Sequence, residues 1–96
     1  MFISLRKYDE CHDAAEVNRR VVDRLIPKLR RFDGFQSYTV VDLGNHSVMS
    51  ISVFDTKAQA ETANMQVRAL VSEALHDLLP YPPEIRIGEV LSESRK

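Results

Sequence analysis

Along this 96-residue chain, stretches in which apolar residues recur every second residue are separated by stretches in which they recur every three or four residues. Few folds are compatible with such a pattern. Two-residue alternation predicts strands at residues 1–8, 35–43, 48–54 and 85–91. Three-to-four-residue spacing predicts two amphipathic helices between them. Their apolar stripes are Ala14, Val17, Val21, Leu25 and Leu29 in the first helix, and Ala60, Ala63, Val67, Leu70, Val71, Ala74 and Leu78 in the second.

The resulting order, βαββαβ, predicts an α+β fold. Right-handed crossovers place both helices on one face of a four-stranded antiparallel sheet, which is the ferredoxin-like plait. No linker or internal repeat divides the chain. We therefore expect one domain over residues 1–91, followed by a polar tail at residues 92–96.

Local signals mark the ends of the predicted elements. Asp13–Glu16 and Thr56–Gln59 both have the pattern of a capping box, which begins a helix. Pro27 lies inside the first helix, where its missing N–H predicts a bend or a locally loosened turn. Gly and Asn at positions 43–46 predict a tight hairpin. Prolines from Pro80 onward end the second helix and force extended backbone.

Two helices can cover only one face of such a sheet, yet both faces of the predicted strands carry apolar residues. One face is expected to hold Ile3, Leu5, Met49, Ile51, Val53, Ile85, Ile87 and Leu91. The other is expected to hold Phe2, Tyr8, Val48, Phe54 and Val90, mixed with Ser4, Arg6, Ser50, Ser52 and Gly88. Because an uncovered face would expose a larger apolar patch than monomers usually tolerate, we expect a second copy to cover it in a homodimer.

Composition narrows the classes of partner. A net charge of −1 gives no general attraction to nucleic acid or to an anionic membrane, and no window is apolar enough for a membrane span. Cys11 is the only cysteine, so we expect neither an internal disulfide nor a cysteine-based metal cluster. Without a signal-like apolar run at its start, the chain is expected to be cytoplasmic. The role of Cys11 is not indicated by the sequence.

Four short stretches, Ile3–Arg6, Asp33–Phe35, Ser50–Asp55 and Gly88–Val90, resemble those of the antibiotic biosynthesis monooxygenase-like (ABM) proteins, which belong to the dimeric α/β-barrel superfamily. The resemblance covers residues 1–91. It implies a homodimer whose two sheets form a barrel, with a small pocket between the helices and the sheet of each subunit. Some members oxidise aromatic polyketides with dioxygen and no cofactor, others degrade haem, and many have no assigned activity.

Asn64 lies within the apolar stripe of the second predicted helix, so its amide is expected to face the sheet. A buried amide that lacks partners costs about 1–3 kcal/mol, which leaves two roles open. The amide either makes a structural hydrogen bond to a strand or binds a substrate oxygen in a pocket. The resemblance implies the second role, since family members use an asparagine of this helix in that way.

Polar side chains of the predicted strands supply further candidates. Small serine side chains leave space for a ligand. An arginine can neutralise a phenolate or enolate, or form a surface ion pair, and a tyrosine can contact an aromatic substrate or pack in the core. The candidate catalytic residues are Asn64, Tyr38 and Arg86, and the candidate substrate-binding residues are Ser4, Arg6, Ser50 and Ser52.

Several other sites are not expected. Haem-degrading relatives place a histidine ligand late in the second helix, but His76 is half a turn out of phase with Val67 and is expected to point to water. The chain has no tryptophan, whereas haem-degrading and characterised polyketide-oxidising relatives use one. No histidine and carboxylate pair has metal-ligand spacing, so neither a metal nor another cofactor is expected.

Nucleic acid is not an expected partner either. RNA-recognition modules share this strand order, but they need exposed aromatic residues on the third strand, and residues 47–53 contain none. The first helix carries a basic run that is either a phosphate-binding strip or a solvated outer face. The run consists of Arg19, Arg20, Arg24, Lys28, Arg30 and Arg31.

The leading hypothesis is a homodimer that binds a small aromatic or quinone-like molecule and acts as a cofactor-independent monooxygenase. In the competing hypothesis, the chain is a non-catalytic small-molecule binding or accessory protein. The missing tryptophan and the absence of an acid–base pair favour that alternative. Haem degradation is the third hypothesis.

Overall fold

The computed structural model describes residues 1–96 and contains a four-stranded antiparallel sheet covered on one face by helices. The strands are β1 (Phe2–Tyr8), β2 (Phe35–Gly44), β3 (Ser47–Phe54) and β4 (Glu84–Glu89), in the spatial order β2-β3-β1-β4. The helical elements are α1 (Ala14–Arg20), a π-helical segment (Val21–Leu25), α2 (Ile26–Leu29) and α3 (Lys57–Leu75). The predicted βαββαβ order and ferredoxin-like α+β fold are confirmed.

The first helix is interrupted in the middle by the π-helical segment, directly before Pro27. The N–H of Ile26 bonds the carbonyl of Val21, five residues back. Pro27 then lies in the first turn of α2, where a missing N–H costs least. The prediction of a locally loosened turn at Pro27 is therefore confirmed.

The wider π turn also explains why one apolar stripe can face the sheet throughout. Its buried residues recur at strict four-residue steps: Val17, Val21, Leu25 and Leu29. On a regular α-helix each such step turns about 40° too far, so the stripe would wind away from the sheet. The π turn holds more residues and rotates the stripe back.

Two capping sites were predicted, and one forms completely. The Thr56 hydroxyl accepts from the Gln59 N–H at 3.2 Å, and the Gln59 side chain accepts from the Thr56 N–H at 3.1 Å, so both halves of the box begin α3. At α1, Asp13 accepts from the Glu16 N–H at 3.0 Å. The Glu16 carboxylate pairs with two arginines instead of returning to the cap, so that box is half formed.

The hairpin between β2 and β3 is confirmed. Gly44 pairs with Ser47, which leaves Asn45 and His46 as a two-residue loop. Both loop residues have positive φ, at 50° and 62°, which is the conformation of a type I′ turn. A side-chain oxygen of Asp42 accepts from the Gly44 N–H at 2.9 Å and stabilises the bulge beside the turn.

The core lies between the sheet and the helices. It combines the α1–α2 stripe with Val67, Ala74 and Leu75 of α3, and with Tyr8 and Val48 of the central strands. Phe54 packs in a second cluster against α3, with its ring edge-on to Phe35 at 5.9 Å. On the open face of β1 and β3, the side chains are half-buried and mostly apolar. They are Ile3, Leu5, Lys7, Met49, Ile51 and Val53.

The expected faces are right for β1 and β3 and wrong for β4. Ile85 lies opposite Arg6 and Ile87 opposite Ser4, so both isoleucines belong to the helix-covered face. The open face of β4 is formed by Glu84, Arg86 and Gly88. Alternation along a strand separates its two faces, but the pairing with β1 decides which face meets the helices. Leu91 lies beyond β4 and is 89% exposed.

Candidate ligand-binding site

A cleft with a volume of about 460 Å³ lies between β1, α3 and the connection from α3 to β4. This volume falls in the range of about 300–1,000 Å³ that is typical of small-molecule sites. Its walls are mostly aromatic, proline and aliphatic side chains, with a few polar groups among them. The lining residues used below are Arg6, Tyr8, Arg68, Val71, His76 and Leu79.

Arg6 is the central polar residue of the cleft. Its position on β1 turns it toward the helices, and only 4% of its surface is exposed. Nη2 donates to the main-chain carbonyl of Asn64 at 2.9 Å and also to the Oδ1 atom of that residue. Nε is buried and has no partner. Burial lowers the pKa of this guanidinium from its usual value, while two nearby tyrosines oppose the shift.

Asn64 faces the sheet, as predicted. Its Oδ1 atom accepts from the Ser4 hydroxyl at 2.9 Å and from Arg6. Because an arginine can only donate, this contact fixes the amide with oxygen toward the strand. The Nδ2 atom is buried without a partner. Asn64 therefore ties α3 to β1 and holds the Arg6 guanidinium in place.

The three candidate serines lie behind the cleft. Ser4 and Ser52 pair across β1 and β3, and Ser50 pairs with Arg6. All three are buried beneath the helices, but none of them lines the cleft. The space beside Ser50 amounts to a void of about 20 Å³. The structure therefore brings these serines close to Arg6 and Asn64 without placing them on the cleft wall.

Two tyrosines flank this polar group. Tyr8, which lines the cleft, is 6% exposed, and burial raises the pKa of its hydroxyl to about 12, with Arg6 opposing the shift. Tyr38 lies on β2 opposite Ser52 and packs against the core rather than in the cleft. Burial raises its pKa as well, while a hydrogen bond with Ser50 opposes the rise.

Arg86 is not brought together with Asn64 and Tyr38. It pairs with Leu5 across the sheet and lies on the open face, away from the helices. Its side chain is 78% exposed and contacts Glu84, with an N–O distance of 3.2 Å. The arginine that the fold places beside Asn64 is Arg6.

Sequence reasoning missed three cleft residues, Tyr8, Arg68 and His76. Alternation along β1 already placed Tyr8 on the face of Ser4 and Arg6, so it could have been found. His76 is exposed, as expected, but it also lines the cleft, together with residues of the connection from α3 to β4. Its Nδ1 atom lies 3.1 Å from the carbonyl oxygen of Ser72. Since a carbonyl only accepts, Nδ1 carries a proton, and Nε2 keeps its lone pair in the neutral ring.

Comparison with solved structures finds proteins of the same fold. A protein of unknown function from Nitrosomonas europaea superposes with a TM-score of 0.76 at 18% identity, over 99% of this chain and 94% of its own. A "putative antibiotic biosynthesis monooxygenase" from Deinococcus radiodurans gives 0.74 at 19% identity, over 100% and 98% of the two chains. A protein of the same description from N. europaea gives 0.73 at 12% identity, over 96% and 100%.

The chain has the ABM-like fold. The resemblance noted in the sequence is thereby confirmed for the architecture, over essentially the full length of both chains. At sequence identities below 20%, these structures show that the chain shares the ABM-like fold, but they do not show that it shares an activity. No family model matches the sequence, and neither does any curated protein.

Two further features of the structure concern metal-binding side chains and membrane-spanning helices. No group of three histidine, cysteine, aspartate or glutamate side chains is arranged to hold a metal ion. None of the helices combines the length and the apolar character that crossing a membrane requires.

Proposed function

We propose that the cleft binds a small aromatic or quinone-like molecule, and that the chain oxidises it with dioxygen as a cofactor-independent monooxygenase. One observation carries the proposal: a cleft with apolar and aromatic walls holds a guanidinium, Arg6, that is fixed in place by Asn64. Flat apolar walls accept an aromatic ring system. A fixed cation beside the ring stabilises negative charge that develops on a ring oxygen.

In the proposed mechanism, the substrate itself supplies the electrons. His76, with Nδ1 bonded to the Ser72 carbonyl, accepts a proton from the substrate at Nε2. Arg6 stabilises the enolate or phenolate that results, and the electron-rich carbon attacks dioxygen. For an anthrone, the CH₂ group becomes a carbonyl, a four-electron oxidation. One oxygen atom of O₂ enters the product and the other leaves as water, so atoms and electrons balance.

The site roles in this proposal differ from those inferred from the sequence. Arg6 takes the charge-stabilising role that was given to Arg86, since Arg6 lines the cleft beside Asn64 and Arg86 lies on the open face. Asn64 is a positioning residue that acts through Arg6. Tyr38 supports the site from the core, and Tyr8 supplies the ring that faces the ligand.

Oxygen uptake with anthrone tests the proposal. We expect consumption above the spontaneous rate, lowered by Arg6→Met and His76→Ala and unchanged by Arg95→Ala, at an exposed arginine of the C-terminal tail. Binding without oxygen uptake would support the non-catalytic binding protein instead. If anthrone neither binds nor is consumed, the proposal is wrong.

Haem is a second candidate, because His76 lines the cleft with a free Nε2 atom. Arg6 and Arg68 could meet its carboxylates. A haem titration decides between the two candidates. A Soret band that shifts on binding and is lost in His76→Ala would favour haem, and an unchanged band at micromolar haem would exclude it.

For the open face of the sheet, we propose a second copy of the chain as the occupant. Its centre is apolar, with Leu5 and Ile51 opposite each other. Lys7, Glu84 and Arg86 at one side supply both signs of charge, which suits a two-fold related copy. Light scattering should give twice the 11.0 kDa mass of the chain. Leu5→Lys should give a monomer, and a monomeric native chain would contradict the dimer.

A further inference from the structure

We infer that the cleft binds its ligand most tightly as an anion, and that it recognises an aromatic carboxylate or ionised phenol through Arg6. This inference rests on the proposed function, because it assigns the charge of the ligand that the cleft is proposed to bind. It goes beyond that proposal in predicting that, of two ligands of the same shape, the anion binds more tightly than the neutral molecule.

The first argument is the charge of the cleft. The chain as a whole has a net charge of −1, yet none of the residues that line the cleft is an aspartate or a glutamate. The charged and titratable groups there are Arg6, Arg68 and His76, together with two tyrosines. The positive character is therefore local to the cleft, and it attracts an anionic ligand.

The second argument is that Arg6 has no counter-ion inside the chain. Its neighbours from the packed elements are Tyr8 on β1, Tyr38 on β2, Ser50 on β3 and Asn64 on α3, none of which carries a negative charge at neutral pH. A buried ion without a partner destabilises a fold. A ligand oxyanion in the cleft would supply the missing charge.

The third argument is that the buried polar atoms without hydrogen-bond partners at Arg6 and Asn64 are donors. Both hydrogen bonds of Arg6 start from Nη2 and end on Asn64. Nε of Arg6 and Nδ2 of Asn64 are buried without partners, and both atoms are donors. The unpaired groups at this place therefore require an acceptor. Because Arg6 lines the cleft, a small shift on binding would bring a carboxylate or phenolate oxygen to its Nε atom.

A matched pair of ligands tests the inference by titration calorimetry near neutral pH. 2-Naphthoate and 2-naphthamide have nearly the same shape, but only the first is charged. We expect the native protein to bind the naphthoate at least about tenfold more tightly, as charged hydrogen bonds imply. Arg6→Met should remove the preference and Arg6→Lys should restore part of it. Arg95→Met, at an exposed arginine of the C-terminal tail, should leave the preference intact.

The outcomes separate this inference from the proposed function. Equal binding of both probes would leave the cleft as a ligand site and overturn the assignment of charge. A preference that survives in Arg6→Met would overturn the role of Arg6. Binding of neither probe would overturn this inference, while anthrone binding and oxygen uptake decide the proposed function separately. If Arg6→Met does not fold, three measurements still test whether Arg6 recognises an anion. They are the preference of the native protein for the naphthoate, the weakening of that preference by added salt, and the preference of Arg6→Lys.

Discussion

Replacing Arg6 by methionine should not destabilise the protein, although the residue is buried and hydrogen-bonded. Methionine has a similar length and fills an irregular space well, so the change removes the charge more than the volume. Replacing a residue that stabilises the fold lowers the free energy of unfolding, whereas replacing one that is retained for ligand binding does not. The stability of Arg6→Met therefore distinguishes the two roles.

The magnitude follows from two opposing effects. The variant loses the two hydrogen bonds to Asn64, each worth roughly 1.5–3 kcal/mol for a charged donor. It also removes a buried ion without a counter-ion, whose desolvation costs several kcal/mol. Asn64 Oδ1 keeps its bond from the Ser4 hydroxyl. We expect a change between zero and about 3 kcal/mol of added stability, in line with replacements of buried ions by apolar residues.

Urea unfolding followed by circular dichroism measures this change, and a thermal scan should show an unchanged or higher Tm. Arg20→Met is the matched control. Arg20 is paired with Glu16 and Asp77 at 2.9 and 2.7 Å and donates to the Ala74 carbonyl, so its loss should lower the stability. A loss of more than about 2 kcal/mol in Arg6→Met would show that Arg6 is structural, against the reasoning above.

Three further predictions concern stability. Gly34 has φ +75°, and an added Cβ would lie 1.8 Å from Oε1 of Gln59, so Gly34→Ala should cost at least about 1 kcal/mol in urea unfolding, and a cost near zero would contradict this. Burial raises the Tyr8 pKa to about 12, so its ionisation does not affect stability below pH 10 and lowers it by about 2–3 kcal/mol as the pH rises from 10 to 12. Tyr8→Phe should show a smaller loss over that interval, and an equal loss would be evidence against the shift. The Glu16 pKa is lowered to about 2 by its hydrogen bonds to two arginines, so its stabilising effect is present above pH 4.5 and is lost as the pH falls toward 2. Glu16→Gln should be less stable than the native chain near neutral pH and equal to it near pH 2, as acid titrations would show.

Local patterns were sufficient to predict most of the fold. Alternation and helical spacing depend on neighbours in sequence, as do the capping box at Thr56 and the turn at Asn45 and His46. The π-helical segment was anticipated only as a disturbance at Pro27. Its geometry depends on keeping the four-residue stripe against the sheet, which is a tertiary requirement.

The candidate site was predictable only in part, because it depends on which strands pair and what folds over them. Asn64 was found, since its phase on α3 fixes its direction. Arg6 and Arg86 could not be ranked, because the sequence does not say which face of β4 meets the helices. His76 became a cleft residue only through the connection from α3 to β4, whose path the prolines do not specify.

The central claim, that an aromatic anion binds on Arg6 in the cleft, is tested most directly by the Nε–Hε resonance of this side chain in ¹⁵N NMR spectra. Adding 2-naphthoate should shift that signal to saturation, together with the amides of Tyr8 and Val71 on the cleft walls. Shifts confined to the open face of the sheet, at Leu5 and Ile51, with an unmoved Arg6 signal, would contradict the claim.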